Sequence, residues 1–263
     1  MHTGFIGIGS MGGMLLRSLL RAGALAPDDV WAANRTPRAL PARVHAASAA
    51  EVAAQCDLIF LCVSAGDTAA ALAQMDAALS PRHLLVTTAA AIPLAQLEAR
   101  VPCRAAKLIP SITQEIGAGI ALLMYGARAT PEDRTLLETL LGRFSQPVVI
   151  DESLARPAIS LTSGGPALIA YLLESMAEEA VRANPALKLE LAHSLVRETA
   201  IATMRLIGQG NMPPPELIRR VAIPGGMTAP SIEILSRHVP KAWREVFEQT
   251  AAREAKTRAS LTL

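Results

Sequence analysis

The feature that most constrains the fold is a glycine motif near the N-terminus. Gly7, Gly9 and Gly12 are spaced as G-x-G-x-x-G, after an apolar stretch and at the opening of a helix-like stretch. In this motif the first glycine permits a tight turn and the second lets the backbone approach a pyrophosphate. The third glycine lets the helix pack close to the strand. The spacing predicts a dinucleotide-binding turn, with phosphates at the helix N-terminus next to Ser10 and Met11; an ordinary glycine-rich turn is the alternative.

The first half of the chain alternates strand-like and helix-like stretches. The predicted strands are Phe5–Ile8, Val30–Asn34, Leu58–Val63, Leu84–Thr88, Ala105–Ile109, Ile120–Tyr125 and Val148–Ile150. The predicted helices are Ser10–Ala22, Ser48–Gln55, Thr68–Ala78 and Pro131–Phe144. Alternation of this kind is typical of an α/β fold with a Rossmann-type parallel sheet that is covered on both faces.

After about Asp151 the strand-like stretches end and only helical periodicity remains. Two apolar stripes follow, one of Ile169, Leu172, Leu173, Met176, Ala180 and Val181, the other of Leu191, Leu195, Thr199, Ala202 and Leu206. The sequence therefore predicts a Rossmann domain over 1–151 and an all-helical domain over 152–263. A helical domain of this size is thin for an independent globule, so we expect its stripes to pack against a second copy in a homodimer or higher homo-oligomer.

Composition excludes several classes of function. The formal net charge is +2, and no basic stripe is visible that would indicate nucleic-acid binding. The apolar stretch Leu58–Val63 has only six residues, whereas a membrane helix needs about 20. Three cysteines without a CxxC pattern argue against a disulfide framework and against a zinc site. We expect a soluble cytoplasmic protein with no nucleic-acid, membrane or metal partner.

The end of the second predicted strand indicates which dinucleotide would bind. NAD enzymes usually place Asp or Glu there, but Asn34 occupies the position, 22 residues after Gly12, and Arg35 and Thr36 follow it. The place has no carboxylate to repel a 2′-phosphate, and it has a guanidinium and a hydroxyl to bind one. The sequence predicts NADPH in preference to NADH; the alternative is a solvated loop arginine.

Small residues follow three further strands. Val63 and Ser64, then Ala89 and Ala90, then Pro110 stand at predicted carboxyl ends, where ligands bind in sheets of this kind. We expect them to leave room for a flat nicotinamide ring, although they could equally be small core residues.

Two glycine turns in the helical half are candidates for holding a substrate carboxylate. Each precedes a helix, so its free amides point to the helix entrance. The expected substrate-binding residues are Ser163, Gly164, Gly225, Gly226, Met227 and Thr228. Plain interhelical turns are the alternative. The five histidines and four lysines stand singly, so no general acid is predicted, and hydride transfer to a protonated imine needs mainly alignment.

Taken together, these residues resemble the pyrroline-5-carboxylate reductase family over essentially the whole chain. The stretches that carry the resemblance are 4–11, Asn34–Thr36, Ser163–Ala167 and Pro224–Thr228. The stretches 58–63, 101–103 and 109–113 are similar to the late-competence (ComER-like) branch of that family. The resemblance implies a Rossmann domain, a helical dimerisation domain, and reduction of 1-pyrroline-5-carboxylate to proline with NAD(P)H. It makes Thr228 the candidate catalytic residue, through a hydrogen bond to the carboxylate or ring nitrogen.

The sequence departs from the family in the substrate region. Gly164 and Ile223 stand where the family has serines, Leu168 where it has tyrosine, and Ser111 where it has asparagine. Two alternatives therefore remain. A 3-hydroxyisobutyrate-type dehydrogenase shares the opening motif but expects a lysine and an asparagine within Leu168–Glu174, where neither occurs. A nucleotide-binding regulatory homologue without turnover is the other.

Overall fold

The computed structural model describes residues 1–261, which form two compact units. The first unit is Met1–Pro166 together with the C-terminal segment that begins at Thr250, and the second is Ala167–Gln249. The division into domains 1–151 and 152–263 stays a prediction of the sequence.

The first unit is built on one eight-stranded sheet. Its strands are β1 (Thr3–Ile6), β2 (Val30–Ala33), β3 (His45–Ala46), β4 (Leu58–Leu61), β5 (Leu84–Thr87), β6 (Arg104–Ile109), β7 (Ile120–Tyr125) and β8 (Gln146–Val149). The spatial order is β3-β2-β1-β4-β5-β6-β7-β8. Thr3 of β1 pairs with Val30 on one side and with Leu58 on the other. The order therefore reverses between β1 and β4, and ligands of open α/β sheets bind outside the carboxyl ends of the strands at such a point.

The predicted Rossmann-type sheet is confirmed, with one pairing that the sequence did not predict. Strands β1 to β6 are parallel to their neighbours, but β7 runs antiparallel to β6, and β8 is again parallel to β7. The connection from β6 to β7 holds only a short 3₁₀ helix, Ile112–Ile116. Because a parallel crossover usually needs a helix of several turns, this short link can only return the chain antiparallel.

Helices cover both faces of the sheet. Those of this unit are α1 (Ser10–Arg21), α2 (Ala49–Gln55), α3 (Thr68–Ala73), α4 (Leu94–Arg100), α5 (Pro131–Gly142) and α6 (Ala155–Thr162). On one face, Leu15 and Leu19 of α1 and Leu137 of α5 pack with Phe5 and Phe60, whose rings stack at 5.0 Å. On the other, Val52 of α2, Leu72 of α3, Leu97 of α4 and Ile159 of α6 form a second core.

Short elements are where sequence and structure differ most. The two-residue strand β3, the seven-residue helix α4 and the eight-residue helix α6 were not predicted. Segments this short show little periodicity, and α2, of the same length as α4, was predicted from its composition instead. The helix predicted over Thr68–Ala78 ends at Ala73. The strand predicted over Val148–Ile150 covers Gln146–Val149.

Helices account for the rest of the chain. They are α7 (Gly165–Ala183), α8 (Leu189–Gln209), α9 (Pro214–Val221) and α10 (Thr228–Ala259), the last with Pro240 in its interior. The apolar stripes predicted on α7 and α8 are largely exposed in the single chain: Met176 is 64% exposed and Leu195 54%. No helix within residues 1–261 is long and apolar enough to cross a bilayer.

The start of α5 generates a stability prediction. The Asp133 carboxylate is buried, accepts from the Thr130 backbone N–H at 2.9 Å and pairs with Arg104 Nε at 2.8 Å. Asp133→Ala removes the capping box and leaves Arg104 without its carboxylate, so we expect unfolding to become easier by roughly 2–4 kcal/mol. Urea denaturation measures this, with Glu132→Ala in the same turn as the exposed control. Equal stability of the two variants would contradict the importance of this buried pair.

Candidate dinucleotide-binding site

The glycine turn between β1 and α1 is closely packed except at its middle glycine. Gly7 has φ +88°, and a Cβ there would lie 2.6 Å from the Cys62 carbonyl oxygen. A Cβ on Gly12 would lie 2.1 Å from the Gly7 carbonyl oxygen, whereas one on Gly9 would meet nothing within 4 Å. Gly9 is the N-cap of α1 and carries no capping side chain. The N-terminal amides of α1 therefore face open space, which fits a phosphate ligand.

Asn34 connects this turn to the loop after β2. Its Oδ1 accepts from the Ile8 backbone N–H at 2.9 Å, and its Nδ2 donates to the Thr36 carbonyl at 2.6 Å. The Gly7 N–H donates to the Ala33 carbonyl at 2.8 Å. Asn34 thus fixes the two loops relative to each other, a structural task that the sequence motif did not reveal.

Arg35 is the exposed cation at the end of β2, and it has a partner that the sequence did not predict. Its Nη1 lies 3.0 Å from Oδ1 of Asp67, a residue just before α3, and the Arg35 side chain is 85% exposed. Asp67 Oδ2 also accepts from Ser64 Oγ at 2.7 Å. The Ser64 hydrogen bond and the Arg35 charge hold the pKa of Asp67 below its usual value. The structure therefore brings a carboxylate to a place where the sequence showed none.

A cavity of about 600 Å³ lies at the carboxyl ends of β1, β2 and β4. Six predicted cofactor residues line it: Gly7, Gly9, Asn34, Arg35, Thr36 and Val63. The cavity adds residues that were not predicted, including Arg38, Cys62, Asp67 and Gln74. Burial raises the pKa of the Cys62 thiol to about 12, so this cysteine stays protonated.

A larger cavity of about 820 Å³ runs along α1 and is lined by Ser10, Arg17, Arg21 and Glu115 among others. The two cavities share Gly9 and Arg38. We take the smaller one as the dinucleotide cleft because it lies at the strand ends where the sheet order reverses.

The remaining predicted cofactor residues lie at neighbouring strand ends. Ala89 follows β5 and is buried, and its N–H donates to Thr87 Oγ1 at 3.1 Å. Ala90 is half-buried in the same loop, and Pro110 is buried after β6. Met11 lies within α1, one residue from the helix start. Ala89, Ala90 and Pro110, together with Val63 and Ser64, lie at the carboxyl edge of the sheet beside the cleft.

The structure places a buried lysine at this edge that sequence reasoning passed over. Lys107 in β6 is fully buried, and its Nζ donates to Glu152 Oε1 at 2.5 Å and to the Ala90 carbonyl at 3.1 Å. Burial lowers the pKa of Lys107, and the hydrogen bond to Glu152 opposes that shift. A lone lysine inside an otherwise apolar strand was the available signal.

The two glycine turns expected to hold substrate lie in different units. In the first, the Gly164 N–H already donates to the Ile159 carbonyl at 3.0 Å, and Ser163 is half-buried at the end of α6. In the second, the Gly226 N–H donates to the Ile223 carbonyl at 3.0 Å, so this amide too is occupied. Gly225 has φ +77°, and Met227 is 90% exposed just before Thr228 opens α10.

These features define a class of protein, the dinucleotide-dependent oxidoreductases with a helical second domain. The features are a Rossmann sheet with a glycine turn, an arginine-lined cleft and a helical C-terminal half. Comparison with known proteins narrows this class. Residues 152–257 match the family model for pyrroline-5-carboxylate reductase dimerisation. Residues 2–91 match the model described as NADP oxidoreductase coenzyme F420-dependent.

Individual proteins match over nearly the whole chain. Pyrroline-5-carboxylate reductase 3 of Bacillus subtilis is 33% identical over 256 residues, which cover 95% of this chain and 94% of the relative. ComE operon protein 4 of the same organism is 29% identical over 257 residues, with 95% and 94% covered. The solved structure of Plasmodium falciparum pyrroline carboxylate reductase with NADP bound superimposes with a TM-score of 0.84 at 19% identity, covering 98% and 96% of the two chains.

The chain therefore belongs to the pyrroline-5-carboxylate reductase family. The resemblance stated from the sequence, including its late-competence branch, is confirmed, as are the fold class and the class of NADP-dependent oxidoreductase.

The packing of the glycine turn generates a prediction for a matched pair of variants. Gly12→Ala forces a methyl group against the Gly7 carbonyl, so we expect it to destabilise the fold by about 1–3 kcal/mol. Gly9→Ala places its methyl group in open space, so its thermal unfolding should match that of the wild type. Differential scanning calorimetry on both proteins tests this. A Gly9→Ala variant as unstable as Gly12→Ala would show that the turn is packed differently.

Proposed function

We propose that the protein is an NADPH-dependent reductase of a small cyclic imino acid, best matched by 1-pyrroline-5-carboxylate, which it would reduce to L-proline. One observation carries this proposal. In a chain of this family, the cleft at the reversal of the sheet combines an open helix N-terminus at Gly9 with two arginines, Arg35 and Arg38.

The residues of the cleft fit a phosphorylated dinucleotide. The pyrophosphate would lie at the amides of Gly9, Ser10 and Met11, where a Cβ on Gly9 would meet no atom. Arg35 would bind the 2′-phosphate, with Thr36 and Arg38 beside it. Asp67 does not exclude this, because an exposed ion pair is weak and screened by solvent, and a guanidinium has further N–H donors to share. When bound, NADPH supplies the hydride.

Cofactor preference gives the first test. Arg35→Ala removes the guanidinium expected at the 2′-phosphate, so NADPH should bind about ten- to a hundredfold more weakly while NADH binding stays unchanged. Dissociation constants from NADPH and NADH fluorescence titration measure this. Arg182→Ala, which removes an exposed arginine paired with Glu179 on α7, is the control. A wild type that binds both dinucleotides equally would contradict the assignment.

We propose that the turn before α10 binds the substrate carboxylate. The Gly226 amide is occupied, so the donors left in this turn of the described chain are the N–H groups of Gly225, Met227 and Thr228 and the Thr228 hydroxyl. The hydroxyl would hydrogen-bond the carboxylate or the ring nitrogen. Ser163 and Gly164 stay candidates for the same ligand, although the bond from Gly164 to Ile159 removes one donor there.

The Thr228 hydroxyl is tested by a variant of equal volume. Thr228→Val should lower kcat/KM on 1-pyrroline-5-carboxylate by about ten- to a hundredfold and leave the NADPH dissociation constant unchanged, since only one substrate hydrogen bond is lost. Ile223→Ser restores the hydroxyl that the family carries there, so activity should stay equal or rise. Normal turnover by Thr228→Val together with an inactive Ile223→Ser would assign this turn to another ligand.

We propose that the chain assembles as a homodimer or higher homo-oligomer through α7 and α8. Their exposed stripes include Leu172, Met176, Leu191 and Leu195, each 46–64% exposed in the single chain, and exposed apolar side chains in such number are typical of an interface. Light scattering at micromolar concentration should give at least twice the mass of 27.7 kDa. Met176→Glu should shift the mass toward the monomer, and a monomeric wild type would contradict the proposal.

A second candidate, a nucleotide-binding regulatory protein without turnover, is favoured by Ile223 and Gly164, which lack the family's hydroxyls. The two candidates share the cleft and differ in catalysis. Tight NADPH binding combined with no oxidation of NADPH by 1-pyrroline-5-carboxylate would favour the regulatory protein.

A further inference from the structure

Lys107 is a buried cation that the proposed reaction does not use. Its side chain is fully buried in the sheet, between Thr87 of β5 and Met124 of β7 in register. Nζ has two acceptors, Oε1 of Glu152 at 2.5 Å and the carbonyl oxygen of Ala90 at 3.1 Å. Ala90 belongs to the loop between β5 and α4, at the same edge of the sheet as the cleft.

The loop that Lys107 holds is a tight turn with two open donors. The Ile92 N–H donates to the Ala89 carbonyl at 3.2 Å, which makes Ala90 and Ala91 the central residues of the turn. The Ala89 N–H is occupied by Thr87 Oγ1. Within residues 1–261, the N–H groups of Ala90 and Ala91 have no protein acceptor. Because the peptide is trans, the Ala91 N–H points away from the Ala90 carbonyl that Lys107 binds.

Glu152 extends this restraint to the next helix. Its two carboxylate oxygens both lie 3.1 Å from the backbone nitrogen of Leu94, the first residue of α4. Lys107 therefore fixes the turn 89–92 at the Ala90 carbonyl. Glu152, which neutralises Lys107, fixes the chain just after the turn, at the Leu94 N–H. Glu254 forms two further ion pairs, with Arg156 at 3.1 Å and with Arg258 at 2.8 Å, and the charges of Glu254 and Arg258 also act on Lys107.

Stability alone does not account for such a pair. Desolvating a buried lysine and its carboxylate can cost as much as their attraction returns, and apolar residues of similar size often serve stability equally well. Apolar residues cannot, however, fix the direction of a backbone carbonyl. What the charged pair contributes beyond packing is the orientation of the peptide between Ala90 and Ala91.

We propose that Lys107 is a positioning residue for the nicotinamide half of the dinucleotide. By binding the Ala90 carbonyl, it fixes the peptide between Ala90 and Ala91 so that the Ala91 N–H points away from Lys107 and can donate to an acceptor such as the carboxamide oxygen of the nicotinamide. This inference rests on the proposed function, since it takes the dinucleotide as the ligand. It assigns no contact between Lys107 and the ligand itself.

Two ligands separate this role from a general structural one. NADPH carries the nicotinamide, whereas 2′-phospho-ADP-ribose has the adenosine, the phosphates and no nicotinamide. We expect Lys107→Met to raise the dissociation constant of NADPH about tenfold and to leave that of 2′-phospho-ADP-ribose within twofold of the wild-type value. Isothermal titration calorimetry measures both constants. Lys107→Arg keeps a donor for the Ala90 carbonyl and should recover most of the NADPH affinity. Lys188→Met, which changes an exposed lysine before α8, should change neither affinity.

A Lys107→Met protein that loses affinity for both ligands equally, or for neither, overturns the positioning role while leaving NADPH binding by the wild type intact. If Lys107→Met does not fold, Glu152→Gln gives the same comparison, because it removes the charge that holds Lys107. The ratio of the two dissociation constants should then rise at least threefold, and an unchanged ratio overturns the role. A wild type that binds neither ligand overturns the proposed function and this inference with it.

Discussion

The close approach of α1 to strands β1 and β4 is the constraint on which the rest of the cleft depends. It requires that Gly7 and Gly12 carry no side chain, because a Cβ at either would penetrate the van der Waals radius of a backbone carbonyl. Asn34 then bonds to the turn through the Ile8 amide and fixes the loop after β2 at the same edge. This packing brings the open position at Gly9 and the arginines after β2 to the same edge of the sheet.

The exposed arginine in the cleft is not a free cation, because a carboxylate pairs with it. Arg35 binds Asp67, and Asp67 is independently held by Ser64 at the start of the following 3₁₀ helix. The carboxylate is thus the fixed partner and the long guanidinium the adaptable one. The affinity for a 2′-phosphate at this place is set by the difference between two interactions of the Arg35 guanidinium, one with the phosphate and one with Asp67. The interaction with Asp67 depends on how well this exposed ion pair is solvated.

The fold and the phosphate-binding turn could be predicted because their signals are local. The spacing of Gly7, Gly9 and Gly12 and the alternation of apolar stretches each lie within a few residues, and their physical reasons are the same in any chain. The antiparallel β7 depends on how short the connection from Pro110 to Gly119 is, and the motif carries no information about that. Asp67 and Glu152 were missed because each acts through a partner, 32 and 45 residues away respectively, that only the folded sheet brings near. Lys107 looked isolated in the sequence for the same reason.

The reaction proposed for this cleft is reduction of a cyclic imine by NADPH. Its most direct test is the initial rate of NADPH oxidation by the purified wild type with 1-pyrroline-5-carboxylate, followed by the loss of NADPH absorbance and by quantifying proline. We expect saturable turnover, one proline formed for each NADPH oxidised, and a higher kcat/KM with NADPH than with NADH. An enzyme that binds NADPH but forms no proline, or one that prefers NADH, would contradict it.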